Sequence, residues 1–293
     1  MTRVDLHLHT TASDGVYPPA RVVAMAARRG LRVISITDHD STEGLDEAMA
    51  AAQKWRIELI PGVELSTDVP KGEVHILGYF IDWHDGELQK ILTKIRESRL
   101  ERARKMVDRL AALGMPISFE RVLELAGRGS VGRPHVAKVL VEAGHVGTVR
   151  EAFDRYIGRD GPAYVERYRL TPVGAVRLIR RARGLPVLAH PLVPDDNGVL
   201  RELPPLESFL PELCAAGLVG IEAYYTGYPP TVTRNLIGLA AKFGLIVTGG
   251  SDFHGGGVLQ AELGGVHVPW ACVERLKALH RSQIFATNYT NLH

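Results

Sequence analysis

The 293-residue chain has only two cysteines, Cys214 and Cys272, far apart and without motif spacing. That excludes a thiolate metal cluster and fits a reducing compartment, so a cytoplasmic location is expected. No run approaches the ~18 apolar residues of a membrane span. The N-terminus enters a strand pattern at once, without a basic n-region and apolar h-region, and no signal peptide is expected. There is no low-complexity tract and no fixed-period repeat beyond the alternation described below. The glycine-rich "GGSDFHGGG" lacks the Walker spacing that ends in Gly-Lys-Ser/Thr. It reads as a flexible loop rather than a nucleotide cradle.

The 45% hydrophobic content is ordinary for a folded protein. Net charge is only +2 but unevenly spread. Residues 90–170 carry 17 Lys/Arg and 10 Asp/Glu, a surplus of +7 that leaves the remainder at −5. A basic segment set against an acidic remainder points to an anionic ligand; a solvated helical surface would read the same way.

Short β-branched runs alternate with helical patterns. "RVDLHL", "LRVISITDH", "IELIPGVELS" and "EVHILGYFI" read as strands. Between the first three stand "PPARVVAMAARRG", with proline at its start and glycine at its stop, and "STEGLDEAMAAAQKW". Helical periodicity then runs uninterrupted by strands from Glu87, through short helices near Phe119–Ala126, Arg133–Ala143 and Val149–Ile157. The alternation resumes with "LPVLAH", "LVGIEAYY" and "LIVTGGSDFH", and a last helix near Val273–His280 leads to a short "QIFAT". Such alternation implies a parallel sheet with helices outside it, and seven or eight strands suit a (β/α) barrel better than an open doubly wound sheet. The expected organisation is a barrel of residues 1–86 and 169–293, interrupted by an inserted helical domain, 87–168.

The chemistry sits at strand ends. A strand has period two, so His7 and His9 share a face, with Asp5 on the same face as a candidate to orient an imidazole. Two imidazoles at this spacing can grip one metal ion. Asp14 follows in the next loop. "TDHD" places Asp38 and His39, "GVE" Glu64, "EVHILGY" His75, "LAHP" His190 and "SDFH" Asp252 and His254. Six of the twelve histidines and three acids thus gather at strand ends or just beyond. Buried imidazoles and carboxylates without partners are costly, and metal ions would offset that cost.

The series "DLHLHTTASDG", "ITDHD", "PGVELS", "EVHILGY", "LAHP", "SDFH" resembles the successive motifs of the PHP family, named for polymerase and histidinol phosphatase. The inserted segment with "GRPHVA" (Gly132–Ala137) resembles its TrpH-like branch, whose members are similar to 3′,5′-nucleoside bisphosphate phosphatases and to short 5′-to-3′ exoribonucleases. The resemblance implies a distorted (β/α)₇ barrel holding two or three divalent ions. His7, His9, Glu64 and Asp252 would hold one ion and the hydroxide on it. Glu64 would bridge to a second, held also by His75 and His190, and Asp14, His39 and His254 would hold a third. Nitrogen and oxygen ligands without thiolate suit manganese, zinc or iron without ranking them; manganese is the first expectation, with zinc or iron as alternatives. Three such ions against three carboxylates leave about +3, a charge that favours a phosphate dianion and in-line attack of metal-bound hydroxide on phosphorus. A PHP-type amidohydrolase acting on carbon would use the same ions.

Around that site, Arg133 and His135 stand at the start of a helix and Arg99 and Arg102 share a helix face. These four are the candidates to bind a second phosphate. Ser13 and Tyr17 flank Asp14. His84, His145, His267, His280 and His293 read as packing or surface residues; the acid Glu222, also near a strand end, reads first as structural, with a role facing or supporting the ligands as the alternative. The resemblance puts release of the 3′-phosphate of a nucleoside 3′,5′-bisphosphate first. The alternatives are a 5′-to-3′ exoribonuclease on short RNA, a histidinol-phosphate phosphatase, and, from another class, a non-catalytic nucleic-acid-binding protein. A small phosphate-bearing nucleotide is the expected partner, with short RNA second; neither a membrane nor an obligate protein partner is expected.

Overall fold

A computed structural model describes residues 3–69, 72–127, 131–194, 200–202, 204–256 and 261–290. Nine strands form in chain order: β1 (Val4–Leu8), β2 (Val33–Ile36), β3 (Glu58–Val69), β4 (Gly72–Tyr79), β5 (Leu185–Leu188), β6 (Leu192–Pro194), β7 (Leu200–Glu202), β8 (Gly220–Tyr225) and β9 (Ile246–Gly250). β6 and β7 make a separate ribbon, and the other seven make one sheet in the order β1-β2-β3-β4-β5-β8-β9. Its edges meet. His9 N–H donates to the Phe253 carbonyl (3.0 Å) and Asp252 N–H to the His7 carbonyl (2.9 Å), so the sheet is a nearly closed seven-stranded barrel.

The pairings β1–β2, β2–β3, β5–β8 and β8–β9 are parallel, as the alternation implies. β4 departs from that expectation and lies antiparallel to both β3 and β5. Only two residues separate β3 from β4, far too few for a crossover, so the chain must turn back on itself. The barrel is distorted for this reason.

Along β1, Leu6 and Leu8 alternate with His7 and His9, and all four are buried. Strand periodicity sends one pair to the helical layer and the other to the barrel interior. Outside the sheet, α1 (Pro19–Arg28) buries Val22, Val23 and Ala26, and its first residue is the proline that suits a helix start. α2 (Leu45–Trp55) follows, and α3 (Gly86–Ala112) leads into the helical segment.

The described residues cluster into two units, 1–88 with 170–293, and 89–169. The second unit contains most of α3, then α4 (Phe119–Ala126), α5 (Arg133–Glu142), α6 (Val149–Ala152) and a π-helical turn at Phe153–Ile157. It has its own core, including Met106, Leu110, Val122, Val136, Leu140 and Ile157. Ser118 and Thr148 cap its helices by accepting the backbone N–H of Arg121 and Glu151 at 3.0 Å.

In the first unit α7 (Pro172–Arg181), α8 (Leu206–Ala216) and α9 (Pro230–Lys242) precede the later strands. α10 (Trp270–Thr290) runs straight through "QIFAT", which is helical and not a separate segment. With β1 and β9 already joined, the barrel offers that segment no edge to pair with. Among the described residues no helix is long and apolar enough to cross a membrane.

Candidate metal centre

The nine histidines and acids of the strand-end series converge in the barrel unit. Ligand atoms of His7, His9, Glu64 and Asp252 lie within 4.8 Å of one another; so do those of His9, Asp14, His39 and His254, and those of His39, Glu64 and His75. Compared with the grouping implied by the resemblance, His9 joins the Asp14 set and His39 joins the His75 set. His190 sits with Glu64, its Nε2 3.0 Å from Oε1.

Glu64, fully buried on β3, divides the cluster. Its Oε1 faces His75 Nδ1 and His190 Nε2, both at 3.0 Å. Its Oε2 faces His7 Nε2 and His9 Nε2 at 3.3 Å and His39 Nδ1 at 3.0 Å. Asp252 Oδ1 approaches His7 Nε2 (3.3 Å) and His9 Nε2 (3.0 Å). Asp14 completes the other side, 3.3 Å from His254 Nε2. Asp252 carries a left-handed φ of +56°, uncommon outside glycine but tolerated by aspartate, as the chain bends sharply beyond β9. His75 sits toward the start of β4, not its end, and reaches the centre because that strand runs backwards.

The electrostatics are those of mutual neutralisation. Burial alone would keep the imidazoles uncharged. The carboxylates of Glu222, Asp252 and Glu64 overcome it and hold His7 well above the ordinary imidazole range. Against the same burial, His9 is lifted to about 10 by Asp252 and Glu64, and His75 to about 10 by Glu64 and Glu73. For His39 burial wins, and its pKa falls to about 4. Burial would raise the acids, but His39 and its neighbours hold Asp14 and Glu64 well below the carboxylate range, and His7 and His9 do the same for Asp252.

The residues fit divalent ions. His7 Nε2, both ring nitrogens of His9, His39 Nδ1 and Glu64 Oε2 are buried and make no hydrogen bond among the described residues. Orphaned lone pairs of this kind, all nitrogen and oxygen, converging from separate strands, match the donor set of manganese, zinc or iron.

Supporting contacts differ from the sequence reading in two places. Asp5 does not orient an imidazole. It accepts from Ser251 N–H (2.8 Å), Ser251 Oγ (2.6 Å) and Gly264 N–H (2.8 Å), tying β1 to the loop that carries Asp252. Burial outweighs those bonds and raises its pKa to about 6. Glu222 is no bystander. Its carboxylate lies 3.1 and 3.2 Å from His7 Nδ1 and accepts the His190 N–H at 2.9 Å. Tyr225, which the sequence reading did not single out, donates its hydroxyl to Asp252 Oδ2 at 2.7 Å. Its only sequence signal is its place at the end of a strand whose partners bear ligands. Asp38 accepts from Thr10 N–H and Oγ1 (both 2.7 Å) and Ser13 Oγ (2.6 Å), so Ser13 holds the loop beside Asp14. Tyr17 stacks on Phe253.

The four candidate phosphate readers lie in the helical unit. Arg102 is buried; Arg99, Arg133 and His135 are half-buried. Arg133 lies over the rings of Phe153 (5.4 Å) and Tyr164 (5.9 Å). His135 Nδ1 accepts the Gly132 N–H at 3.0 Å, closing the start of α5. His84 and His267 are exposed, His145 is half-buried and His280 stacks on Phe80; His293 and the last glycine of "GGSDFHGGG" lie outside the described residues.

Known proteins resemble this chain in sequence and fold. A family profile described as PHP domain matches residues 5–100. The chain is 36% identical to a 3′,5′-nucleoside bisphosphate phosphatase of Chromobacterium violaceum, over 88% of this chain and 89% of that protein. It is 34% identical to a 5′-3′ exoribonuclease of Haemophilus influenzae, over 86% and 90%. In three dimensions it matches an amidohydrolase from Chromobacterium violaceum, solved with bound sulfate and no metal, with a TM-score of 0.79 and 33% identity over 94% and 96% of the two chains. A protein from Bifidobacterium adolescentis, solved as a candidate metal-dependent phosphoesterase, matches at 0.79 and 32% over 94% and 95%. The barrel and its histidine–carboxylate centre define the class of metal-dependent phosphoester hydrolases. Within that class, the chain belongs to the PHP family.

Proposed function

We propose that the chain removes the 3′-phosphate of nucleoside 3′,5′-bisphosphates to give 5′-monophosphates, using two or three divalent ions, manganese first, then zinc or iron. The observation that carries the reading is the convergence of nine ligand residues, with buried lone pairs left without hydrogen bonds, in a chain so similar to the Chromobacterium phosphatase.

In this reading His7, His9, Glu64 and Asp252 hold one ion. Glu64 turns its other oxygen to a second, beside His75 and His190. Asp14, His39 and His254, with His9 near, hold a third. Ions bound there supply Lewis acidity and the nucleophile for phosphoester hydrolysis. The protein's part is to hold nine donors in fixed directions, with Glu222 and Asp38 fixing what carries them. Arg99, Arg102, Arg133 and His135 bind the phosphate that is not cleaved. The arginine forks suit phosphate oxygens, and His135, with Nδ1 committed to Gly132, would meet the anion through Nε2.

The similarity to the Haemophilus enzyme favours a second reading, stepwise 5′-to-3′ trimming of short RNA with the same centre. Phosphate release from a nucleotide panel with added manganese, beside 5′-phosphorylated short RNA, tests both. The bisphosphate should be hydrolysed far faster than 5′-monophosphates; comparable rates would overturn the bisphosphate reading. Mononucleotide release from RNA without phosphate release from bisphosphate would establish the second.

A further inference from the structure

β8 supplies none of the nine converging ligands, yet two of its side chains hold three of them. Its pairing with β9 runs Glu222 opposite Thr248, then Tyr224 opposite Gly249 and Tyr225 opposite Gly250, so β8 carries one extra residue at Ala223. Residues three apart on a regular strand point to opposite faces. The bulge cancels that inversion and turns Glu222 and Tyr225 to the same side. It also crowds β9: a Cβ at Gly249 would stand 2.4 Å from Tyr224 Cβ.

We propose that β8 is a positioning strand, on which Glu222 and Tyr225 fix the directions of His7 and Asp252 toward the ion held by His7, His9, Glu64 and Asp252, while Glu222 also anchors the backbone of His190 beside the second. This rests on the metal-centre reading above. Glu222 accepts the hydrogen bond of His7 Nδ1–H, which favours the tautomer with its lone pair on Nε2, the atom facing Glu64 and Asp252 at 3.3 Å. The same carboxylate holds the backbone at His190. Tyr225 occupies Asp252 Oδ2, which leaves Oδ1 to face His7 and His9. Tyr228, 5.0 Å from the Tyr225 ring, bonds through its hydroxyl, among the described residues, only to the backbone of Leu192 and serves as a control.

Glutamine is the informative substitute at Glu222. It has the same shape but one acceptor oxygen. Both carboxylate oxygens face His7 Nδ1, so whichever one is replaced, an NH₂ donor stands 3.1 or 3.2 Å from that nitrogen and competes with the remaining oxygen for it. If His7 loses it, its proton moves to Nε2, the atom aimed at the ion.

The test is Mn²⁺ binding to the metal-stripped full chain by competition with a chromogenic chelator, beside thermal unfolding. Glu222→Gln should weaken the tightest site by about 10- to 100-fold. Tyr225→Phe should weaken it by roughly 10-fold, the loss of one hydrogen bond to a charged group. Tyr228→Phe should leave it unchanged. At saturating Mn²⁺ both positioning variants should regain part of kcat with KM little altered. Wild-type affinity in both variants would overturn the proposal while leaving the metal centre intact. A wild-type chain that binds no Mn²⁺, Zn²⁺ or Fe²⁺ would overturn both. If Glu222→Gln does not fold, Tyr225→Phe against Tyr228→Phe decides alone.

Discussion

At the scale of single residues, ligands and readers should fail differently. His7→Ala or Asp252→Ala removes a donor from the four-residue group, and activity should fall by orders of magnitude in metal-replete buffer, while circular dichroism stays that of the wild type because the strands keep their own core. Near-normal turnover in either variant would remove that residue from the ligand set. Arg99→Ala and Arg133→Ala should keep wild-type metal content. Each should lose about 10- to 150-fold in kcat/KM on a 3′,5′-bisphosphate, the equivalent of one charge-assisted hydrogen bond, and much less on the matched 3′-monophosphate. Equal losses on both substrates would mean that the arginines serve the fold or the reacting phosphate. For Arg133 the stacking on Phe153 and Tyr164 makes that alternative concrete.

At the scale of elements, the closure of β1 on β9 is tight. A Cβ at Gly250 would lie 2.4 Å from His7 Cβ and 2.5 Å from His7 N. Gly250→Ala must therefore part the two strands that carry His7 and Asp252. Overpacking of this kind costs about 1–3 kcal/mol, and the urea midpoint should fall accordingly; an unchanged midpoint would show that the strands meet less closely than this. On α10, the His280 ring stacks on Phe80 with centroids 4.2 Å apart, and burial keeps its pKa below the ordinary imidazole value. A group depressed in this way contributes nothing above the unfolded pKa near 6.5. As pH falls below that value the unfolded chain takes up the proton first, so stability declines. The loss in Tm between pH 7.5 and 5.5 should be smaller in His280→Gln than in the wild type. Two parallel declines would show that this ring carries no pH dependence.

At the scale of the whole molecule, binding of ions and folding are linked. Ions that bind only the folded chain at 100 times their Kd add about 2.7 kcal/mol, which for a chain of this size raises Tm by about 5 °C. Adding Mn²⁺ to stripped protein should raise the melting temperature by that order and EDTA should reverse it. A melting curve indifferent to both would contradict a centre built from residues of β1, β3, β4 and the loops beyond β2, β5 and β9.

Much of this was legible in the sequence, because local periodicity and residue chemistry wrote it. Period two put His7 and His9 on one face, the alternation of strands and helices announced a barrel, and donors repeated at "TDHD", "GVE", "LAHP" and "SDFH" announced the kind of centre. Hidden from it was whatever depends on which strand lies beside which. β4 runs backwards because its link to β3 is too short to cross over, a signal present in the spacing but masked by the alternation around it. "QIFAT" has a strand-like composition yet stays helical, because β1 and β9 join and leave no edge. Glu222 and Tyr225 acquire their partners only through a one-residue bulge in β8, and a bulge is a property of pairing, not of a strand read alone. The sequence by itself determined the donors, their number and their strand faces, since these follow from covalent geometry and side-chain chemistry. The tertiary structure alone decided which donors lie within reach of one another, which carboxylate faces which imidazole, and where glycine must stand, because each depends on distances of a few ångströms between segments up to 259 residues apart in the chain.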